Sequence, residues 1–125
     1  MVGLARKKIP LNFWETAGDG LSDKSYCRLG QSLFTSRAFA ELPAGAKLLY
    51  VEMVSAAAGK RDFTFSCGDY ERRGLSKCAV RKNIPILEKA GFIEVTEKGW
   101  TQRKPNKYRF SQKWRMAESA LKQQD

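Results

Sequence analysis

The sequence predicts a mainly α domain with a small β-sheet, an α+β fold of three core helices and one β-hairpin. Three observations predict it. Apolar residues recur at helical spacing over 46–57 and again over 80–87. Two short runs, 92–96 and 106–110, read as strands on either side of a polar, basic stretch that holds Gly99 and Pro105. The chain's 125 residues suffice for one continuous core without disulfide or metal staples, and are too few for two full-sized domains. With 42% hydrophobic and 29% charged residues, burial can offset the ordering entropy, so wholesale disorder is not expected.

Residues 1–24 show no sustained periodicity and contain Gly18-Asp19-Gly20, so they read as an irregular arm, made basic by Arg6, Lys7 and Lys8. Such an arm is either a solvated terminus or an extension that touches phosphate or a groove. The domain proper is expected over 25–115, followed by a helical tail over 116–125. Residues 26–29 suggest a short strand, and Ser36 is placed to cap a short helix over 37–42.

The first long helix follows from Ala46, Leu49, Tyr50, Met53, Val54 and Ala57, with Pro43 at its opening and Gly59 past its end. That apolar stripe reads as core. Phe63 and Phe65 alternate in a very short strand, and Ser66 with Asp69 three residues on starts a helix to about Arg73. Gly74 suits a sharp reversal, Leu75 can plug the core, and Ser76 can cap the next helix, 76–90.

In that helix Val80, Ile84 and Leu87 share one face, which turns Ser76, Lys77, Cys78, Arg81, Lys82, Pro85 and Lys89 outward. Pro85 removes the bond to the Arg81 carbonyl, which costs about 3 kcal/mol in an unrelieved helix, so a kink or a break is expected there. Gly91 ends the helix. The strand 92–96, the tip 98–105 and the return strand 106–110 form the hairpin, with Tyr108 and Phe110 on one face and Lys107 and Arg109 on the other. Trp114 is placed to anchor the tail.

The net charge is +10, and it is gathered in one segment. Between Arg72 and Arg115 stand thirteen Lys or Arg and three acids, Glu88, Glu94 and Glu97; the remainder of the chain is balanced. A localised positive field attracts polyanions and raises their encounter rate, and nucleic acid is the commonest partner for such a segment. Three scattered cysteines, Cys27, Cys67 and Cys78, form no CxxC pair and read as free thiols in a reducing compartment. No apolar run reads as a secretory signal or as a bilayer span, so the expected location is the cytosol or nucleoid. There is no histidine, and the basic half offers only three carboxylates, so neither an enzyme nor a metal or other cofactor is expected.

The order helix, short strand, short helix, Gly turn, basic helix, strand, basic loop, strand is carried by YCRLGQSLF (26–34), LPAGAKLLY (42–50), FTFSCGDYERRGLSK (63–77), LEKAGFIEV (87–95) and PNKYRF (105–110). It resembles the winged helix-turn-helix. More narrowly, it is similar to the winged-helix module of plasmid replication initiators, phage replisome organisers and small regulators of mobile elements.

The resemblance implies double-stranded DNA as the partner, in transcription regulation or as an accessory to replication. The N-terminal half of the basic helix would enter the major groove, with Lys77, Arg81 and Lys82 reaching phosphates or guanine edges and Ser76 binding a phosphate at the helix terminus. Cys78 would be a small spacer and Lys89 a further cation on the outward face. Asn83 reaches adenine only if it leaves the core-facing side. Arg72 and Arg73 would grip the backbone beside the groove, and Gln102, Arg103, Lys104 and Lys107 would lie along the minor groove or the sugar-phosphate chain. Trp100 either packs on the hairpin's own strands or stacks on a sugar, base or partner. The competing expectation is a protein-docking or RNA-binding module without specific duplex recognition. No small-molecule ligand or membrane partner is expected, and a homodimer is left open, since palindromic sites are commonly read by dimers.

Overall fold

In a computed structural model that describes residues 29–99 and 106–116, the chain is an α+β fold in which helices pack against a three-stranded antiparallel sheet. Its elements are α1 (Gln31–Phe34), α2 (Arg37–Ala40), α3 (Ala44–Ala57), β1 (Asp62–Thr64), α4 (Cys67–Arg72), α5 (Lys77–Ala90), β2 (Ile93–Glu97) and β3 (Lys107–Phe110). A further helical turn covers residues 113–116. The sheet order is β1-β3-β2, so β3, last in sequence, lies in the middle.

Local signals set most boundaries. The Ser36 hydroxyl donates to the Leu33 carbonyl and accepts from the Phe39 amide, joining the end of α1 to the start of α2. Pro43 stands at the N-cap of α3. That helix ends one residue earlier than Gly59 suggests, because Ala58 already takes a left-handed conformation, at φ 51°. Ser66 and Asp69 form a reciprocal capping box on α4, and Ser76 caps α5 by accepting the Ala79 amide. At the far end of α5, Gly91 sits at φ 87°, where its amide and that of Phe92 take up the carbonyls of Glu88 and Leu87.

The core forms where the buried face of α3 (Ala46, Leu49, Tyr50, Met53, Ala57) meets that of α5 (Val80, Asn83, Leu87) and the inner face of the sheet. Phe92, Leu49, Met53, Leu87 and Ile93 are fully buried, each contributing about 1.5–3 kcal/mol relative to exposure. Phe63 and Tyr108 face one another across β1 and β3, and Trp114 lies flat on Phe92 with ring centroids 5.3 Å apart. The alternation in β3 is as the sequence predicts, with Tyr108 buried and Lys107 and Arg109 exposed. A register shift between Val95 and Glu97 marks where the hairpin leaves the sheet.

Four expectations need correction or completion. Pro85 does not break α5, which runs through it for 14 residues. The proline is exposed, as is Arg81, so the carbonyl deprived of its intrahelical donor belongs to a solvent-facing residue. Leu29 belongs to no strand, and α1 was not foreshadowed by any capping residue. The arm, the rest of the 26–29 strand, the hairpin tip at 100–105 and the tail beyond 116 lie outside the described residues.

Candidate nucleic-acid interface

The outward side of α5 is fixed by its inward side. With Val80, Asn83 and Leu87 buried, Cys78, Lys82, Pro85 and Lys89 fall at i, i+4, i+7 and i+11 on the opposite stripe, and all four are exposed. That stripe is about 16 Å long. Lys77, Arg81 and Glu88 form the neighbouring flank. Arg81 lies near enough to Tyr70 of α4 to act on its phenol, which is pushed up to about 12, first by a hydrogen bond with Cys67, then by burial and by the charges of Cys67 and Glu71, with Arg81 opposing. At the other end, burial pushes the Tyr108 phenol up, its bond with Asn106 opposes this, and Glu88 adds to it. This flank therefore faces α4 at one end and the sheet at the other.

The cations differ sharply in what they touch. Arg72 pairs with Asp69 at 2.8 Å, Lys107 with Glu97 at 3.3 Å, Arg109 with Asp62 at 2.7 Å and Lys113 with Glu94 at 3.6 Å. Arg73 turns back onto α3, where its guanidinium donates to Glu52 at 3.1 Å and to Ser55 at 3.0 Å. By contrast, Lys77, Arg81, Lys82 and Lys89 make no ion pair with any described residue. Exposed pairs contribute little stability, but they cancel charge, so α5 carries four of the uncancelled cations among the described residues, the others being Lys47, Lys60, Arg61, Lys98 and Arg115.

The residues singled out from the sequence thus separate into groups. Ser76, Lys77, Cys78, Arg81 and Lys82 come together in the N-terminal half of α5, all exposed. The Ser76 hydroxyl is occupied by the Ala79 amide, while the Lys77 and Cys78 amides have no partner among the described residues. Lys89 stands apart, beside Leu42, Pro43 and Ile86 at the opposite end of the helix. Arg72 remains open to solvent beside its acid, whereas Arg73 is committed to α3 and is not presented with the others. Asn83 is buried and donates to the Ala79 carbonyl at 2.8 Å, so it reads nothing outside the fold. Trp100, Gln102, Arg103 and Lys104 lie outside the described residues.

Asn106 was not among the expected residues, yet it closes the neck of the hairpin by accepting the Gly99 amide at 2.9 Å. Its position after Pro105, at the foot of a basic loop, was the signal available. No three Cys, Asp or Glu side chains among the described residues come together to hold a metal ion. None of the described helices is long and apolar enough to cross a membrane. Compared with models of known protein families, with curated proteins and with solved structures, the chain finds no match in any of the three.

Proposed function

We propose that this chain is a winged-helix protein that binds double-stranded DNA in a sequence-specific manner, with α5 as its recognition helix and the β2–β3 hairpin as its wing. The observation that carries the reading is the run of exposed cations on α5 that pair with no described residue, where five of the seven other described cations of the same segment are paired with the protein's own acids. The element order α3, β1, α4, α5, β2, β3 and the central place of β3 support it.

In this reading a helix about 10–12 Å across enters a major groove about 12 Å wide. Lys82 points to the groove floor, Lys77 and Arg81 meet one wall, and the free amides at the start of α5 take a phosphate. Arg72 meets the adjacent backbone by exchanging Asp69 for phosphate. The hairpin lies along the neighbouring minor groove. Its role is binding rather than catalysis, in transcription control or as an accessory to replication.

Selection of bound fragments from random duplex DNA, followed by anisotropy titrations of the selected and a scrambled duplex over a salt series, tests this. Expected are a consensus, a preference for it of at least about a thousandfold, and a salt slope corresponding to roughly 4–8 phosphate contacts. A slope near zero, or equal affinity for heparin, RNA and every duplex, would overturn it.

A further inference from the structure

On the side away from the α5 stripe, the structure holds a groove of about 370 Å³. Leu33, Tyr50, Val54, Phe110 and Trp114 form its floor. Lys60, Arg61 and Arg115 stand at its rim, and none of the described residues lining it is acidic. Arg61 spends one donor on the Phe110 carbonyl at 3.1 Å, and no member of the rim is ion-paired with a described residue. An apolar floor under three cations that no described acid pairs with fits an occupant that is aromatic and anionic. The volume is at the low end of the 300–1,000 Å³ or so that binding pockets span, which suits a few side chains rather than a folded element.

The chain itself carries such an occupant. Leu29, the first described residue, lines the groove, so residues 1–28 depart from its edge. Within them, residues 9–23 contain Leu11, Phe13, Trp14 and Leu21, three acids at Glu15, Asp19 and Asp23, and no Lys or Arg. Asp23 stands six positions before Leu29, a span of at most about 20 Å, and Gly18-Asp19-Gly20 supplies a place for the chain to reverse. A segment tethered this closely sees its groove at an effective concentration on the order of millimolar. The residues after Met116, which also start beside the groove, have no aromatic side chain and include Lys122, so they match it less well.

We propose that residues 11–23 of the same chain dock in this groove, with Phe13 or Trp14 on the aromatic floor and Glu15, Asp19 and Asp23 toward Lys60, Arg61 and Arg115. Docking fixes the root of the arm, so that Arg6, Lys7 and Lys8 extend from a defined point on the domain. It offsets the cations of this side, so that those of α5 weigh more in the field of the domain.

Hydrogen exchange on the 125-residue chain tests the proposal. Amides within 11–23 are expected to exchange at least about tenfold more slowly than an unstructured chain, and equally so on tenfold dilution of the protein. The protection is expected to fall in Trp14→Ala and in the groove variant Lys60→Glu/Arg115→Glu, both without change in α3 and α5. Adding Glu15→Lys/Asp19→Lys to that groove variant is expected to restore it. Free exchange of 11–23 in the parent chain would overturn the proposal, as would protection indifferent to the groove variant. Protection that vanishes on dilution would assign the groove to a second copy instead.

Discussion

The side-chain amide of Asn83 occupies the space where a β-carbon at position 45 would stand. A methyl group at Gly45 would lie 2.8 Å from Asn83 Nδ2, and that nitrogen is buried and held on the Ala79 carbonyl at 2.8 Å. The close crossing of α3 and α5, which sets where the basic helix sits, therefore requires a glycine on one side and a satisfied amide on the other. Gly45→Ala is expected to cost about 1–3 kcal/mol through overpacking, set against up to about 1 kcal/mol of helix propensity gained. In an Asn83→Ala background that cost should disappear. Urea denaturation of the four variants measures the coupling, and an equal cost in both backgrounds would show that clearance is not the reason.

Gly91 is constrained twice. It adopts φ 87° at the end of α5, and a β-carbon there would stand 2.8 Å from both Lys113 Cβ and the Trp114 amide nitrogen. The second contact is backbone, which yields little. Gly91→Ala is expected to destabilise by at least about 2 kcal/mol, one to two of them from the left-handed conformation alone. It should also lift Trp114 from Phe92, read as a change in tryptophan emission under native conditions. Unchanged emission would mean that the turn over 113–116 packs independently of this corner.

What the sequence reveals and what it hides follows from range. The caps at Ser36, Ser66 and Ser76 act over three residues, and the stripes of α3 and α5 over one helix, so both are legible. The commitment of Arg73 to Glu52 and Ser55 spans 21 and 18 residues and depends on how α4 packs against α3, which no local pattern records. The same holds for Arg109 with Asp62, and for Lys107, one of the expected binding cations, which pairs with Glu97 across the sheet. Pro85 misleads for the opposite reason: its local penalty is real, but Val80, Asn83 and Leu87 hold the helix on either side of it.

The capping box at Ser66 should give stability a dependence on acid. The Ser66 amide and hydroxyl hold the Asp69 carboxyl below its usual range, with Arg72 adding to the effect and partial desolvation opposing it. A carboxyl lowered in the folded state contributes stability that is complete above its unfolded value and is lost as pH falls through the folded one. Asp69→Asn should therefore lower stability at neutral pH and flatten its decline on acidification. Ser66→Ala should cost about 0.5–2 kcal/mol. Parallel acid profiles for the parent and Asp69→Asn would remove the cap as the cause.

If α5 reads DNA, Arg81 of that helix and Arg73 at the end of α4 should separate by experiment. Arg81→Ala or Lys82→Ala is expected to weaken the selected duplex by about 1–3 kcal/mol where either meets a base, and by less on scrambled DNA. Arg73→Ala is expected to leave DNA affinity nearly unchanged and to lower stability instead, because its guanidinium is spent on α3. Anisotropy and urea denaturation on the same samples distinguish the two. A large affinity loss in Arg73→Ala would show that the Glu52 pair opens on binding.

Pro85 offers a test of whether the helix geometry itself matters. Replacing it with alanine returns an amide to the Arg81 carbonyl and removes the ring from the preceding turn, which should stabilise the fold by about 1–3 kcal/mol, less up to about 1 kcal/mol of restored freedom in the unfolded chain. The residue is exposed on the outward stripe between Lys82 and Lys89, so no core contact is lost. A fall in stability would mean that the ring packs against something that the surrounding helix does not supply. In the DNA assay the two readings of the site diverge: if only charge matters, Pro85→Ala should bind as the parent does. If the proline sets the local curvature that brings Lys82 and Arg81 to the base edges, the more stable protein should lose specific affinity and keep its salt slope, because phosphate contacts survive a small change of angle that base contacts do not.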